Sequence, residues 1–453
     1  EADAQTVVGQ EDIFRQLIER HESLRTGFQI VADEPVQHIR EKVKFEIEYD
    51  RSMIDGDWSL EKCQGRGEVS SPFIDSFIRP FDLTQAPLLR VGLIPADRNE
   101  EENREHGFIL IVDMHHIISD GASIALFIKE FSALYTREKV PALRLQYRDY
   151  AKWQNRLLDT KEFADREKYW KKQFEAGIPV LNLPTDFVRP TPRGFVGSTM
   201  GIDIDAKETR GLKQLALGQG VTLYMVLLAM YNVFLHKLSG QEDIVVGTPV
   251  AGRTHDDLQH IIGLFVNTLA LRNYPAPDKT FEKFLQEIKE KTIAAFGNQD
   301  YPFETSVERL SVPRDLTRNP MFDVMFEMQN LDIPEIHLPG LTLAPYPFEN
   351  KTAQFDLTFS AVQKPDRLML LFHYCTDLYK EDTLRRYTGY FTKIIRTVLD
   401  KPYRAIGEIE IIESEEKKRI LNEFNDTRAT YPKEKTIVDF FEEQAGQTPD
   451  HVA

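Results

Sequence analysis

Apolar residues near the start of the chain recur first at helical and then at strand spacing. Ile13, Leu17 and Leu24 fall close to a 3.6-residue period with charges between them, which predicts an amphipathic helix over residues 11–25. Two short strand-like stretches follow, VKFEIEY (43–49) and LLRVGLI (88–94). The run FILIVD (108–113) is continuously apolar up to its last residue, as expected of a strand covered on both faces. A polar loop, MHHIISDG, comes next. The stretch after it places Ile124, Phe127, Ile128, Phe131 and Leu134 on one helical face. The predicted order is therefore buried strand, loop, helix.

The charged, aromatic-rich stretch 147–175 reads as one or two helices. Residues 176–200 change character, with four prolines in IPVLNLPTDFVRPTPRGFVG, and a lobe boundary is placed there. Beyond it, Thr222 is a predicted N-cap for a broad apolar stripe of Leu223, Val226, Leu227, Met230, Val233 and Phe234, which Gly240 ends. DIVVGTPVAG (243–252) reads as another buried strand. TFEKFLQEIKEKTIAAF, capped by Thr280, reads as an amphipathic helix. FDLTFSAVQ and LMLLFHY read as paired strands, and TLRRYTGYFTKIIRTVL as a late helix. Each half thus contains a buried strand that leads into a helix, and only the first copy carries a histidine pair. The expected division is residues 1–175 as one lobe, 176–410 as a second, and 411–453 as a charged linker followed by the start of another helix.

Composition narrows the function classes. The 453 residues carry 72 acidic and 56 basic side chains, a formal charge of −16. Such a surface repels phosphate backbones and anionic lipid, so neither nucleic acid nor membrane is an expected partner. The two cysteines, Cys63 and Cys375, lie far apart and have no zinc-type spacing, which suits a reducing cytoplasm. Cys375, inside LMLLFHYC, is read as a small core residue. No run is long or apolar enough to span a bilayer. The start, EADAQTVVGQEDIF, is polar and acidic, and the first helical signal arrives at once, as if preceding structure were absent.

The sharpest chemical pattern is Met114-His115-His116-Ile117-Ile118-Ser119-Asp120-Gly121. A strand end holds a loop in one geometry. An imidazole there accepts a proton near neutral pH, and its neighbour can hold it in place. Asp120 can brace the loop through an ion pair. Gly121 allows close backbone approach and can open the following helix, whose N-terminal amides suit developing negative charge. A metal is not expected, because no third ligand has recognisable spacing. No GxSxG elbow, phosphate loop or GxGxxG is present, and GTPVAG (247–252) lacks the spacing and lysine of a phosphate loop.

MHHIISDG behind its strand resembles the HHxxxDG signature that condensation domains of nonribosomal peptide synthetases share with other chloramphenicol-acetyltransferase-like acyltransferases. Six further stretches, in the family's order, narrow the resemblance to condensation domains. They are RHESLRTGF (20–28), RPFDLTQAPLLR (79–90), YRDYAKW (147–153), IGLFVNTLALR (262–272), NQDYPFE (298–304) and RDLTRNPMF (314–322). The family's earliest motif is missing, and YPKEKTIVDFFEEQAGQTPDHVA resembles the entry to an adenylation domain, as if the chain were cut from a larger assembly line.

The resemblance implies an α/β (α+β) pseudo-dimer of two chloramphenicol-acetyltransferase-like lobes in a V, with the histidine loop at their junction. It implies amide formation between a donor thioester on an upstream carrier and an aminoacyl acceptor on a downstream carrier. No cofactor is bound by the domain itself; 4'-phosphopantetheine arrives on the carriers, and an adenylation domain adjoins. His116 is then the candidate base or charge stabiliser, His115 its neighbour, and Gly121 an oxyanion donor. Asp120 is expected to pair with Arg20, or failing that Arg25. Ser123, Asn267, Gln299 and Asn319 are candidate substrate contacts, with loop bracing the preferred use of the last three. The SDGAS context and RHESLRT resemble domains that take an L-configured donor. An epimerization domain, a free-CoA acyltransferase and an inactive carrier-docking module remain competing readings.

Overall fold

The computed structural model describes residues 4–49, 72–96, 107–312, 315–329, 336–339, 341–344, 346, 351–364, 366–428, 430 and 432–449; Cys63 and Arg314 lie outside them. Two compact units result, Glu1–Ile409 and Glu410–Ala453.

In the first unit, helix α1 (Ala4–Arg20) runs into a short 3-10 turn (Glu22–Arg25) and the hairpin β1 (Thr26–Val31) and β2 (Glu34–Ile39). The helix therefore ends five residues earlier than the apolar pattern predicted. His21 stops it, buried and extended in backbone, with its ring committed to a contact described below. Strand β3 (Glu48–Tyr49), helix α2 (Pro72–Phe77), β4 (Leu89–Ala96) and β5 (Gly107–Met114) follow, and the strands form a sheet in the order β3–β4–β5. Strand β5 corrects an expectation. Ile109 and Ile111 pack with Ile74 and Ile94 on one face, and Leu110 and Met114 pack against the main core on the other, but Phe108 and Val112 are exposed, so the run FILIVD is covered only in part. Among the described residues β5 pairs only with β4. Phe14, Leu17, Leu24, Val91, Ile118, Phe127 and Phe131 make one core with α1 and helix α3 (Gly121–Tyr135). Helices α4 (Tyr147–Leu157) and α5 (Lys161–Gln173) follow, and α5 packs on later residues, with Phe163 against Tyr301 and Trp170 donating to the Asn298 carbonyl.

The second half opens with β6 (Gly197–Ile204), α6 (Ala206–Gly218) and α7 (Leu223–Ser239). Thr222 caps α7 through the Met225 N–H, and Gly240 ends it at φ +69°, in the left-handed region that favours glycine. Met225 to His236 are all buried, so α7 is a central helix with no solvent face there. Strands β7 (Ile244–Val250) and β8 (Asn267–Asn273) precede α8 (Phe281–Gly297) and α9 (Phe303–Arg309). Then come β9 (Val324–Gln329), the hairpin β10 (Ile336–Leu338) and β11 (Leu341–Leu343), β12 (Leu357–Gln363), β13 (Leu368–Cys375) and α10 (Glu381–Asp400). Six strands form one sheet in the order β6–β13–β12–β9–β7–β8, parallel at β12/β9 and β9/β7 and antiparallel elsewhere. Phe326, Phe359 and Phe372 of adjacent strands meet Tyr231, Phe234 and Phe391 of α7 and α10 in a continuous aromatic core. Cys375 is buried at the end of β13, where burial pushes its thiol up, as suits a core residue.

The proline-rich stretch packs onto this second sheet. The Asp186 N–H donates to the Leu378 carbonyl, and Arg189 makes a bidentate pair with Asp356. The second unit contains α11 (Ser414–Lys418) and α12 (Ile437–Gln447), the latter held by a capping box between Thr436 and Asp439. No single helix among the described residues is long and apolar enough to cross a membrane.

Candidate active site

Strand β5 ends at Met114, and the chain turns into a 3-10 turn, His116–Ile118, before α3. The His115 N–H donates to the Leu88 carbonyl at 3.0 Å, which ties the turn to the strand-start before β4. The His115 ring then acts as the cap: its Nδ1 accepts from the Ile117 N–H at 3.0 Å. An imidazole nitrogen that accepts carries no proton, so the other, Nε2, holds it. Phe81 meets this ring edge-on at 6.0 Å. The first histidine thus shapes the turn and presents the second. His116 is exposed, and its ring makes no hydrogen bond with a described residue. His115→Ala is expected to lose about 1 kcal/mol of stability, the usual worth of a cap, and to slow turnover by loosening the turn. His115→Asn keeps an acceptor at the same distance from the backbone and should recover most of both, as read by urea denaturation and single-turnover rates.

Asp120 is almost fully buried and accepts from three donors. Its Oδ1 accepts from the Ser123 N–H at 2.8 Å, which makes it the N-cap of α3, and from Arg253 Nη2 at 3.1 Å. Its Oδ2 accepts from the Phe265 N–H at 2.9 Å. Arg253 is itself 2% exposed, lies 4.1 Å over the Phe265 ring, and donates to the carbonyls of Leu258 and Ile261. A buried carboxylate and a buried guanidinium, each with further polar partners, hold the loop 252–265 against the histidine turn.

This corrects the expected partner of Asp120. Arg20 pairs instead with Glu130, its Nε 3.2 and 3.1 Å from the two carboxylate oxygens, and His21 Nε2 lies 2.6 Å from Glu130 Oε2. These contacts hold the Glu130 carboxyl below its usual range against the opposing pull of burial. Glu130 is ten residues after Asp120, about 15 Å along α3, out of reach of the histidine turn. Arg25 lies 3.5 Å from Glu22 and donates to the Arg40 carbonyl, so it does not reach Asp120 either.

Ser123 is fully buried and bridges the two halves, which corrects its expected place facing substrate. Its Oγ donates to the Gly263 carbonyl at 2.8 Å and accepts from the Gly263 N–H at 3.1 Å and Arg253 Nη2 at 2.8 Å. One donor and two acceptor positions are all the hydroxyl has. Tyr147 of α4 closes the same joint, with its hydroxyl donating to the Leu264 carbonyl at 2.7 Å and its ring edge-on to Phe265. Burial, above all, pushes the Tyr147 phenol far up, which keeps it a donor. Two glycines let the chain pass. A Cβ at Gly263 would sit 2.1 Å from the Tyr147 ring, and one at Gly252, where φ is +64°, 1.9 Å from the Phe265 carbonyl oxygen.

The remaining expected contacts act as braces. Asn267 Nδ2 donates to the carbonyls of Gln299 and Tyr301, and its Oδ1 accepts from the N–H groups of Thr268 and Phe303. Gln299 folds back on the Phe296 carbonyl, and Asn319 on the Gln354 carbonyl and, through its backbone, Asp323. None of these is brought to His116 by a recorded contact. Among the described residues, no group of three or more His, Cys, Asp and Glu could hold a metal ion. Arg253 escaped the sequence reading. Its signal was modest: one arginine just after the strand end GTPVAG, 133 residues from the aspartate it holds.

With this geometry in view, comparison with known proteins is informative. A family model described as "Condensation domain" matches residues 10–421. Gramicidin S synthase 2 of Brevibacillus brevis is 45% identical over 445 residues, which cover 98% of the chain and 10% of that protein. Tyrocidine synthase 3 of Brevibacillus parabrevis is 45% identical over 437 residues, covering 96% of the chain and 6% of that protein. The chain thus spans about a tenth or less of these relatives. A four-domain nonribosomal peptide synthetase bound to AMP and glycine superposes with a TM-score of 0.79 at 22% identity, covering 100% of the chain and 34% of that structure, a likeness of fold.

Proposed function

This chain belongs to the condensation-domain family, and from that premise we propose that it forms an amide bond between a carrier-bound acyl thioester donor and a carrier-bound aminoacyl acceptor. The observation that carries the reading is the exposed His116, set on a turn that His115 caps and that the buried Asp120–Arg253 pair anchors. Upstream and downstream carriers, each with its 4'-phosphopantetheine arm, are the partners in this reading, and an adenylation domain adjoins.

The chemistry follows from the substrates. A thioester is already activated, so much of the acceleration comes from holding two tethered arms in contact. The acceptor amine, with an α-amino pKa of about 7.7–8.0 in water, attacks as the free base. A C–N bond forms, and the carbonyl oxygen takes the negative charge, close enough to the start of α3 for the Gly121 N–H to donate to it. His116 takes the proton that the nitrogen must lose. The C–S bond then breaks, and the donor arm leaves as a thiol with that proton. The lengthened chain remains on the acceptor carrier. His115, its Nδ1 committed to the backbone, positions the turn without sharing in proton transfer.

Tethering raises effective concentration and adds docking contacts away from the chemistry. Carrier-bound acceptor is therefore expected to give a kcat/KM at least tenfold above the same aminoacyl group on free coenzyme A. Product analysis by mass spectrometry, with both carriers loaded, makes the measurement. Equal values for the two would favour a free-CoA acyltransferase, and absence of any amide product would count for a docking module.

A further inference from the structure

One face of the six-stranded sheet is fully packed and the other only in part. Phe326, Phe359 and Phe372 lie against α7 and α10. Side chains alternate along a strand, so the residues between these point the opposite way. The strand register sets them in rows: Thr199, His373, Thr358 and Met325 in one, and Gly201, Leu371, Ser360 and Glu327 in the next. Over β8 this second face is covered, where Trp170, Tyr301 and Phe303 close on Thr268 and Ala270. Over β9, β12 and β13 its larger side chains, Met325, Glu327, Leu371 and His373, are half-buried.

Glu327 stands out in that row. Its Oε1 accepts from the Ser360 hydroxyl at 2.6 Å and from Gln329 Nε2 at 2.7 Å. Its Oε2 takes no hydrogen bond, and the carboxylate forms no ion pair, with any described residue. The buried carboxylates among the described residues, Asp120, Glu130, Asp323 and Asp356, each have an arginine, whereas half-buried Glu327 has none. His373, in the neighbouring row, is held below its usual value by burial, against the opposing pull of Glu327. A half-desolvated carboxylate with neutral donors on one oxygen is suited to a cation at the other.

Its position is also on the working side. Strands β9 and β7 run parallel, with Gly247 beside Met325, so Glu327 is level with Pro249. Strand β7 ends at Val250, and after a turn at Gly252, where φ is +64°, the chain delivers Arg253 to Asp120. The chain that leaves the C-terminal end of β7, beside β9, is thus the one that reaches the histidine turn.

We propose that Glu327, with Ser360 and Gln329 holding it, is a specificity-determining subsite for a cationic side chain on a carrier-borne aminoacyl substrate. This rests on the amide-forming reading above. An amine of this kind can enter on the donor or on the acceptor, and the experiment has an arm for each. Single-turnover condensation is measured for wild type and Glu327→Gln with lysyl or norleucyl acceptor opposite a norleucyl donor, and with lysyl or norleucyl donor opposite a norleucyl acceptor. Glutamine keeps the shape and removes the charge. The expected result is a loss of about tenfold to a hundredfold in kcat/KM for lysyl substrate in one arm, with norleucyl unchanged. Equal losses for lysyl and norleucyl, or no loss in either arm, would overturn the assignment. Binding of unreactive lysyl and norleucyl amides of aminopantetheine, by calorimetry, reads the same subsite without turnover. A wild-type chain that binds the lysyl amide more tightly through Glu327 yet forms no amide bond would sink the catalytic reading and leave the subsite standing. Equal affinity of the two amides would sink the subsite.

Discussion

Arg253→Met is expected to destabilise the chain by about 3–5 kcal/mol, measured as a shift in the urea midpoint. The size follows from what is left behind. Asp120 is 4% exposed and would be left with no cation beside it. The carbonyls of Leu258 and Ile261 would lose their shared donor, and the Phe265 ring its covering guanidinium. Met has a similar length and is apolar, so little of the loss would come from a cavity. Activity should fall with stability, because the loop 252–265 is a wall of the joint that holds the histidine turn. The double variant Arg253→Met/Asp120→Asn removes both charges and should recover part of the loss, since the stranded anion is gone. A single variant with the wild-type midpoint would show that the pair contributes nothing net, and that the aromatic contacts of Tyr147, Tyr150 and Phe265 and the hydrogen bonds of Ser123 and Tyr147 suffice to hold the joint.

His116→Ala should behave in the opposite way. The side chain is exposed and bonds no described residue, so the midpoint should stay within about 0.5 kcal/mol of wild type. The single-turnover rate with both carriers loaded should drop by about 10²–10⁴-fold, the usual worth of a positioned base. A much smaller loss, with His116→Gln retaining most of the rate, would mean that the residue orients the amine and moves no proton. Wild-type rates in a folded His116→Ala variant would remove His116 from the site. The two variants together separate two uses of one eight-residue motif, in which the aspartate acts through the fold and the second histidine through exposure.

Much of the architecture was legible because the code for it is local. Caps at Thr222 and Thr280, the glycine stop at Gly240 and the strand pair FDLTFSAVQ and LMLLFHY each depend on residues a few positions apart. The elements failed where a neighbour in space decided. His21 ends α1 because its ring is drawn to Glu130, 109 residues away. FILIVD is apolar enough for an interior strand, but β4 is its one described partner, and which strands flank it is not written in its own six residues.

The site divides along the same line. The sequence by itself determined that a strand would deliver two histidines and an aspartate into a loop before a helix, and which family's motifs surround them. Apolar period, capping residues and turn residues are properties of neighbours in the chain. Only the tertiary structure decided how those residues are used. It turned His116 outward. It chose Arg253 over Arg20 and Arg25 for Asp120, and it drew Ser123 inward to bind Gly263. Each of those choices is a pairing of buried charges or hydrogen-bonding groups across more than a hundred residues, or a matter of which face the solvent reaches. Charge alone made three arginines equivalent. Burial and the direction of α3, which carries Glu130 about 15 Å past Asp120 toward Arg20, told them apart.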